Sequence, residues 1–480
     1  MPGPYDAIIT GSGPNGMAAA IFLQLKGLKT AVMEQAAKTG GAVRTDEITL
    51  PGFRHDVASA IHPLGFGSPF FQTLPLADYG LLWVHPEIPY AHPFADGDAY
   101  ACYRDIDETA RQLGTDSKKY RDLFSRLVAD WQYISKNILG PLSFPSNPFR
   151  MARFGLKALM PARYFASKYF KEEKTRLLFY GAAAHSTLPL NSLATASFGM
   201  VLNILGHSIG WPFPEGGADK IIEALEGYYR DLGGEVFVEN HVKHISDLPE
   251  ARAYLFDLTP RQLLRIGGTK FTSSYRRRLG NYNYGAGAFK IDWALSEQIP
   301  FTNEKCRKAG TVHLGFSERE IENSEAVIHK GKIATPPYVL VSQHTVFDGS
   351  RAPAGNHTGW AYCHVPHGST ADMTDAIERQ IEKAAPGFKD CILHRTKFTA
   401  PQLEILNPNL VGGDINGGRQ DITQLFTRPV ARLSPYTTPD PRAYICSSST
   451  PPGGGVHGMC GYHAAMRVWK DHFKDKGYNP

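Results

Sequence analysis

The sequence predicts an α/β fold, and three stretches of the chain predict it. In the first, the apolar run Ala7-Ile8-Ile9 is followed by Gly11-Ser12-Gly13-Pro14-Asn15-Gly16 and an alanine-rich segment from Met17 to Lys26, which reads as strand, glycine turn and helix. In the second, a helix over Ile221 to Leu232 is stopped by Gly233-Gly234 and followed by a strand from Glu235 to Val238, so the β-α-β rhythm returns late in the chain. In the third, between Ser273 and Pro353, apolar and polar side chains alternate with period two. The expected architecture is a Rossmann-like nucleotide domain, discontinuous in sequence, with a second α+β domain.

The opening motif has a separate reason for each glycine. Gly11 allows a tight turn off the strand, Gly13 lets backbone approach a pyrophosphate, and Gly16 lets the helix lie close on the strand. Pro14 and Asn15 stand at the helix N-terminus, where free N–H groups and a partial positive charge face a phosphate. A second strand, Thr30 to Met33, ends at Glu34, where a carboxylate can hold the hydroxyls of an adenosine ribose. The alternative for Glu34 is a solvated acid at a strand end. Gly40-Gly41-Ala42-Val43-Arg44-Thr45 then supplies a second glycine pair with a fixed cation, a clamp that a nicotinamide domain does not need and a flavin dinucleotide does.

Near the other end, Ala443 to Cys446 reads as a buried strand, followed by Ser447-Ser448-Ser449-Thr450-Pro451-Pro452 and Gly453-Gly454-Gly455-Val456-His457-Gly458. A helix begins at Met459. These pieces, with Pro51-Gly52-Phe53-Arg54-His55-Asp56, resemble the phytoene desaturase-like group of FAD-dependent oxidoreductases, related to the flavin amine oxidases. The resemblance spans the chain and implies a glutathione-reductase-type FAD domain. It also implies that the backbone of Val242 meets the adenine, and that Ser448, Gly455, Val456, His457 and Met459 lie under the pyrimidine end of the flavin. Many relatives carry Gly-Asp or Gly-Ala where this chain has Ser447-Ser448, so a usual carboxylate is absent.

The chain of 480 residues is long enough for two or three domains, and its 42% apolar and 20% charged content is that of a folded enzyme. The expected division is 1–85, 214–270 and 406–480 for the FAD domain, 86–213 for a helical region and 271–405 for a β-sheet substrate domain. Prolines and aromatics from Pro86 to Pro93 suggest an irregular crossing between domains. A net charge of +5 gives no argument for nucleic acid. Residues 150–176 hold eight lysines or arginines against Glu172 and Glu173, which reads either as contact with an anionic membrane or as a solvated helical face. Six cysteines without CxxC spacing are expected as free thiols in a reducing compartment. With no basic segment leading into a cleavable apolar one, a cytoplasmic location is expected, with peripheral membrane contact left open.

Three residues are candidates for proton handling. In the resembling family the segment around His62 passes the flavin ring; the alternative is that His62 caps the turn before Pro63. Lys290 and His364 lie on predicted strands, and Lys290 is equally well explained by pairing near Asp292 or by exposure. Trp360, Tyr362 and His364 share one strand face, either as a cavity wall for an extended apolar substrate or as core. Asp414, in a glycine-rich loop, is a site candidate or a turn former. No metal site is expected. The reading that follows is an FAD-dependent oxidoreductase that desaturates, saturates or isomerises carbon–carbon bonds of a hydrophobic isoprenoid- or lipid-like substrate, with a quinone or oxygen as external electron acceptor. An amine or amino-acid oxidase, or a flavin-binding protein kept for partner contacts, are the alternatives.

Overall fold

The computed structural model describes residues 4–474. Five parallel strands form the nucleotide sheet in the order Ala443–Ile445, Ala251–Phe256, Tyr5–Thr10, Thr30–Met33, Glu235–Phe237. The order draws on three separate parts of the chain, as expected for a discontinuous domain. The three strands at the sheet's centre are nearly all buried, which is why they read as plain apolar runs and do not alternate. Helix Pro14–Gln24 carries Pro14 in its first turn, where a missing N–H costs nothing. It packs between helix Asp219–Asp231 and helix Met459–His472.

The second sheet has seven strands, ordered Ile392–Phe398, Gly287–Leu295, His357–Val365, Val339–Ser342, Ala309–Leu314, Ile88–Pro93, Ala99–Cys102. The irregular crossing expected over Pro86 to Pro93 is instead a strand, paired with Ala309–Leu314 on one side and Ala99–Cys102 on the other. Burial of Ile88, Tyr90 and Ala91 in this sheet outweighs the breaking tendency of the prolines. The region 86–213 is therefore helical only after its first two strands. Register fixes what shares a face. Lys290, Tyr362, Leu340 and His313 form one cross-strand row, and Asp292, Trp360, Ser342 and Thr311 the next.

Helices between 106 and 208 cover this face around a core that includes Phe124, Phe165, Phe170 and Phe179. Among the described residues no helix is long and apolar enough to cross a membrane. All six cysteines are buried free thiols, as the sequence suggested.

The two domains are joined by a buried ion cluster. Arg351 is fully buried and donates to Asp56 Oδ2 at 2.7 Å, to Asp348 Oδ2 at 3.0 Å and to the Pro214 carbonyl at 2.7 Å. Asp56 also accepts from Thr45 and from the Ala218 amide, both at 2.8 Å. The Phe53-Arg54-His55-Asp56 motif thus ends in a structural carboxylate. Burial alone would raise Asp56, but the Arg351 charge and these hydrogen bonds together hold it well below the usual carboxylate range. Replacing Arg351→Met leaves two buried carboxylates without their cation, so equilibrium denaturation is expected to show a loss of about 3–5 kcal/mol.

Candidate active site

One cavity of about 730 Å³ runs from the nucleotide sheet into the space between the two domains. At its first end lie Gly11, Gly13, Pro14, Asn15 and Glu34, and Val242 also lines it. Gly11 has φ +97°, a conformation that favours glycine. A Cβ on Gly16 would overlap the Gly11 carbonyl oxygen, so Gly16 serves helix packing behind the cavity wall. Its amide donates to Asp257 Oδ2 at 3.0 Å, and burial pushes Asp257 up to about 7. Glu34 sits at the strand end as predicted. One of its oxygens accepts from the Ser12 amide and hydroxyl at 3.0 and 2.6 Å, the other from the Ala36 amide at 2.9 Å.

The second glycine pair closes on the first. Gly41, at φ +59°, lies so near that a Cβ would stand 3.3 Å from Gly13 Cα, and Gly41, Ala42, Val43 and Arg44 all line the cavity. Gly40 turns the chain behind them, its carbonyl accepting from the Val43 amide. Arg44 donates to the Leu406 carbonyl at 3.3 Å, while its Nε is buried without a partner.

From the C-terminal clamp, Ser448, Gly455 and Val456 line the cavity. His457 and Met459 do not. The Met459 amide donates to His457 Nδ1 at 3.0 Å, and the His457 carbonyl accepts from Ser68 Oγ at 2.6 Å, so this pair closes the helix start behind the clamp. Asp414 is a turn former: it accepts from the amides of Gly285 and Asn416, both at 2.7 Å.

The far end is a chamber walled by the second sheet through Ala288, Lys290, Thr311, Leu340, Trp360 and Tyr362. The aromatic wall expected from Trp360 and Tyr362 is there; the two rings meet edge to face at 5.3 Å. His364 shares their strand face but lies outside the cavity lining. Its Nδ1 is 2.8 Å from Glu325 Oε2, and it packs against Tyr338 and Tyr362. His62 does line the cavity. Its Nε2 pairs with Ser59 Oγ at 2.9 Å, its Nδ1 is buried without a partner, and burial lowers it to about 3. It occupies the position before helix Pro63–Phe66 without capping it by its side chain.

Lys290 is buried, not solvated, and its Nζ bonds Asp292 Oδ2 while lying 5.8 Å from the Trp360 ring and 5.6 Å from the Phe398 ring. Burial lowers Lys290 and raises Asp292 to about 6. The pair is pressed from both sides towards sharing one proton without charge. Sequence reading missed Asp257, His185 and Trp211. Only Asp257 carries a local signal, as the first polar residue after a buried strand.

The cradle fits a dinucleotide: buried, unpartnered Asn15 Oδ1 and Arg44 Nε stand on residues that line it, and glycines sit where a Cβ would close it. Residues 9–74 match the model of an NAD(P)-binding Rossmann-like domain. Over 97% of its length the chain is 24% identical to a pyridine nucleotide-disulfide oxidoreductase domain-containing protein 2 of Rattus norvegicus, covering 94% of that protein. It is 23% identical to a lycopene-forming phytoene desaturase of Pseudescherichia vulneris, over 94% of this chain and 96% of the other. By sequence likeness and fold, this chain resembles the phytoene desaturase-like FAD oxidoreductases. Among solved structures, an oxidoreductase from Methanosarcina mazei superposes with a TM-score of 0.66 at 16% identity, over 97% of this chain and 99% of that one.

Two outcomes follow from this site. Gly16→Ala forces a methyl group into the Gly11 carbonyl, so the purified variant is expected to lack the flavin absorbance band expected of the parent. The second concerns acid. Eight histidines (55, 62, 92, 185, 207, 344, 457 and 463) are lowered by burial to about 3 or 4. Below about pH 6.5 the unfolded chain takes up protons that the folded chain refuses, so stability falls as pH drops towards 4. The raised Asp257 and Asp292 act in the opposite sense, but they are outnumbered. The melting temperature is expected to decline steadily from pH 7 to pH 5; a flat profile would contradict this.

Proposed function

We propose that this protein acts on carbon–carbon bonds of a hydrophobic, isoprenoid- or lipid-like substrate, by desaturation, saturation or isomerisation. The observation that carries the reading is the single cavity that joins a dinucleotide cradle to a chamber walled by Trp360, Tyr362 and Leu340. The phytoene desaturase of Pseudescherichia vulneris is named for chemistry of this class. When bound, the flavin would supply hydride exchange at its N5, and in the desaturating direction a quinone or oxygen would take the electrons from the reduced flavin.

This chain's residues then hold, dry and orient. The two glycine turns and Arg44 grip the dinucleotide, and Ile61, Leu64, Leu202 and Leu403 exclude water from the reacting end. Lys290, paired with Asp292, is the group best placed to hold or release a proton at its Nζ, because it lines the chamber and burial leaves its charge only partly supported. His62 stays neutral and offers an unpartnered Nδ1 as a second proton acceptor. His364 lies behind the wall, where it supports Tyr362.

We also propose that the helices of residues 148–169 rest on an anionic membrane. The basic charge alone gives weak support: Arg150 and Arg153 reach back to Asp130, Arg163 to Glu322, Lys174 to Asp96 and Asp98, and Arg176 to Glu318. Apolar exposure gives more. Phe144 and Phe149 are 90% and 89% exposed, and Leu156 lies on the same outward side of helix Pro148–Ala158 as Phe149, with Lys157 beside it. That helix packs on helix Thr195–Ser208, whose Leu202 lines the cavity, so the apolar surface stands one helix away from the chamber.

The function is tested by anaerobic mixing of the yellow holoenzyme with panels of polyenes and of amines. Bleaching by a polyene alone supports desaturation; bleaching by amines alone overturns the reading in favour of an amine oxidase. Lys290→Met is expected to keep its flavin spectrum and slow bleaching by about 10²- to 10⁴-fold. In vesicle flotation, Phe144→Ser with Phe149→Ser and Leu156→Ser should abolish binding to phosphatidylglycerol-containing vesicles that hold the parent protein. Equal flotation of parent and variant would remove the membrane reading.

A further inference from the structure

A plain hydrocarbon in the chamber leaves polar groups on its wall without a role, His185 among them. His185 lies in the short turn Ala184–Ser186 and lines the cavity with Leu202 and Trp211. Its Nε2 is 3.0 Å from Nε2 of His313. His313 is fully buried, and its Nδ1 has no partner; the ring is wedged under Gly181, where a Cβ would stand 2.6 Å from that nitrogen. Tyr90 packs against it at 5.0 Å.

Burial keeps both rings neutral, so one hydrogen bond joins them in one of two tautomeric arrangements. If His313 accepts, its proton sits on Nδ1, an N–H stranded in an apolar pocket. If His313 donates from Nε2, only a lone pair is left at Nδ1. A buried N–H without an acceptor is the costlier defect, so the second arrangement wins. His185 then accepts at Nε2 and carries its proton on Nδ1. That nitrogen makes no hydrogen bond within the described residues and, unlike Nδ1 of His313, is not sealed from the cavity.

We propose that His185, fixed as its Nδ1–H tautomer by His313, donates a hydrogen bond to a hydroxyl or carbonyl oxygen of the substrate. The preferred substrate is therefore an oxygenated apolar molecule, not a bare hydrocarbon. This rests on the function proposed above and narrows its substrate class.

The test compares farnesol with farnesene, two isoprenoids that differ in one hydroxyl group. Binding is read on the purified full-length protein by quenching of tryptophan fluorescence, since Trp211 stands 5.6 Å from the His185 ring. The parent protein is expected to bind farnesol about tenfold more tightly. His185→Phe should remove that preference and keep farnesene binding. His313→Leu should weaken the preference, and His313→Gln, which retains a donor, should preserve it. Imidazole ¹⁵N NMR should show His185 protonated at Nδ1 and His313 at Nε2. Equal binding of the two ligands by the parent, an equal loss of both in His185→Phe, or the reverse tautomers would overturn the proposal. A colourless protein that still prefers farnesol would refute the flavin chemistry while leaving the role of His185 standing.

Discussion

The site depends on the crossing of helix Pro14–Gln24 and helix Met459–His472. They lie so close that a Cβ on Gly461 would overlap the Asn15 carbonyl oxygen, and one on Gly458 would stand 2.9 Å from Ala18 Cβ. Only glycines at the crossing permit that approach. It brings turns from the two chain ends to one cavity, with Gly11 to Asn15 on one side and Ser448 to Val456 on the other. Packing at the crossing therefore builds the cofactor site before any polar contact is considered.

Burial is the largest influence on almost every ionisable group around the chamber, and it drives these groups towards neutrality. His62 and His185 are kept uncharged, and Lys290 and Asp292 are pushed towards each other's protonation range. The exception is the Arg351 cluster, where three polar acceptors surround one guanidinium and the charges persist. Charge is thus kept where it joins the domains and suppressed where a hydrophobic substrate would lie. A neutral chamber suits hydride chemistry on an apolar skeleton, since no fixed charge has to be desolvated when the substrate enters.

Exposure on the helical side follows the same division. Helix Pro148–Ala158 buries Phe154 and Ala158 yet turns Phe149 and Leu156 outward among its arginines, so apolar side chains stand on both of its faces. A helix of this kind is stable against the protein and unsatisfied towards water. The many arginines of the segment are spent on holding its helices to Asp130, Glu322 and Glu318. Counting charges along the chain could not distinguish those pairs from free cations.

What the sequence determined by itself is local: strand Thr30–Met33 with its terminal Glu34, the glycine turn at 11–16, the second pair at 40–41, and the alternation that puts Trp360 and Tyr362 on one face. Each of these is written in neighbouring residues, by turn geometry or by the period of a strand. The tertiary structure alone decided which of them touch the cavity. His457 turned back to its own helix, His364 was covered by Tyr338 and Tyr362, and Ile88–Pro93 became a strand because partners far along the chain buried it. His185 acquires its role only from His313, 128 residues away. Long-range packing and burial set those outcomes, and no window of neighbouring residues contains them.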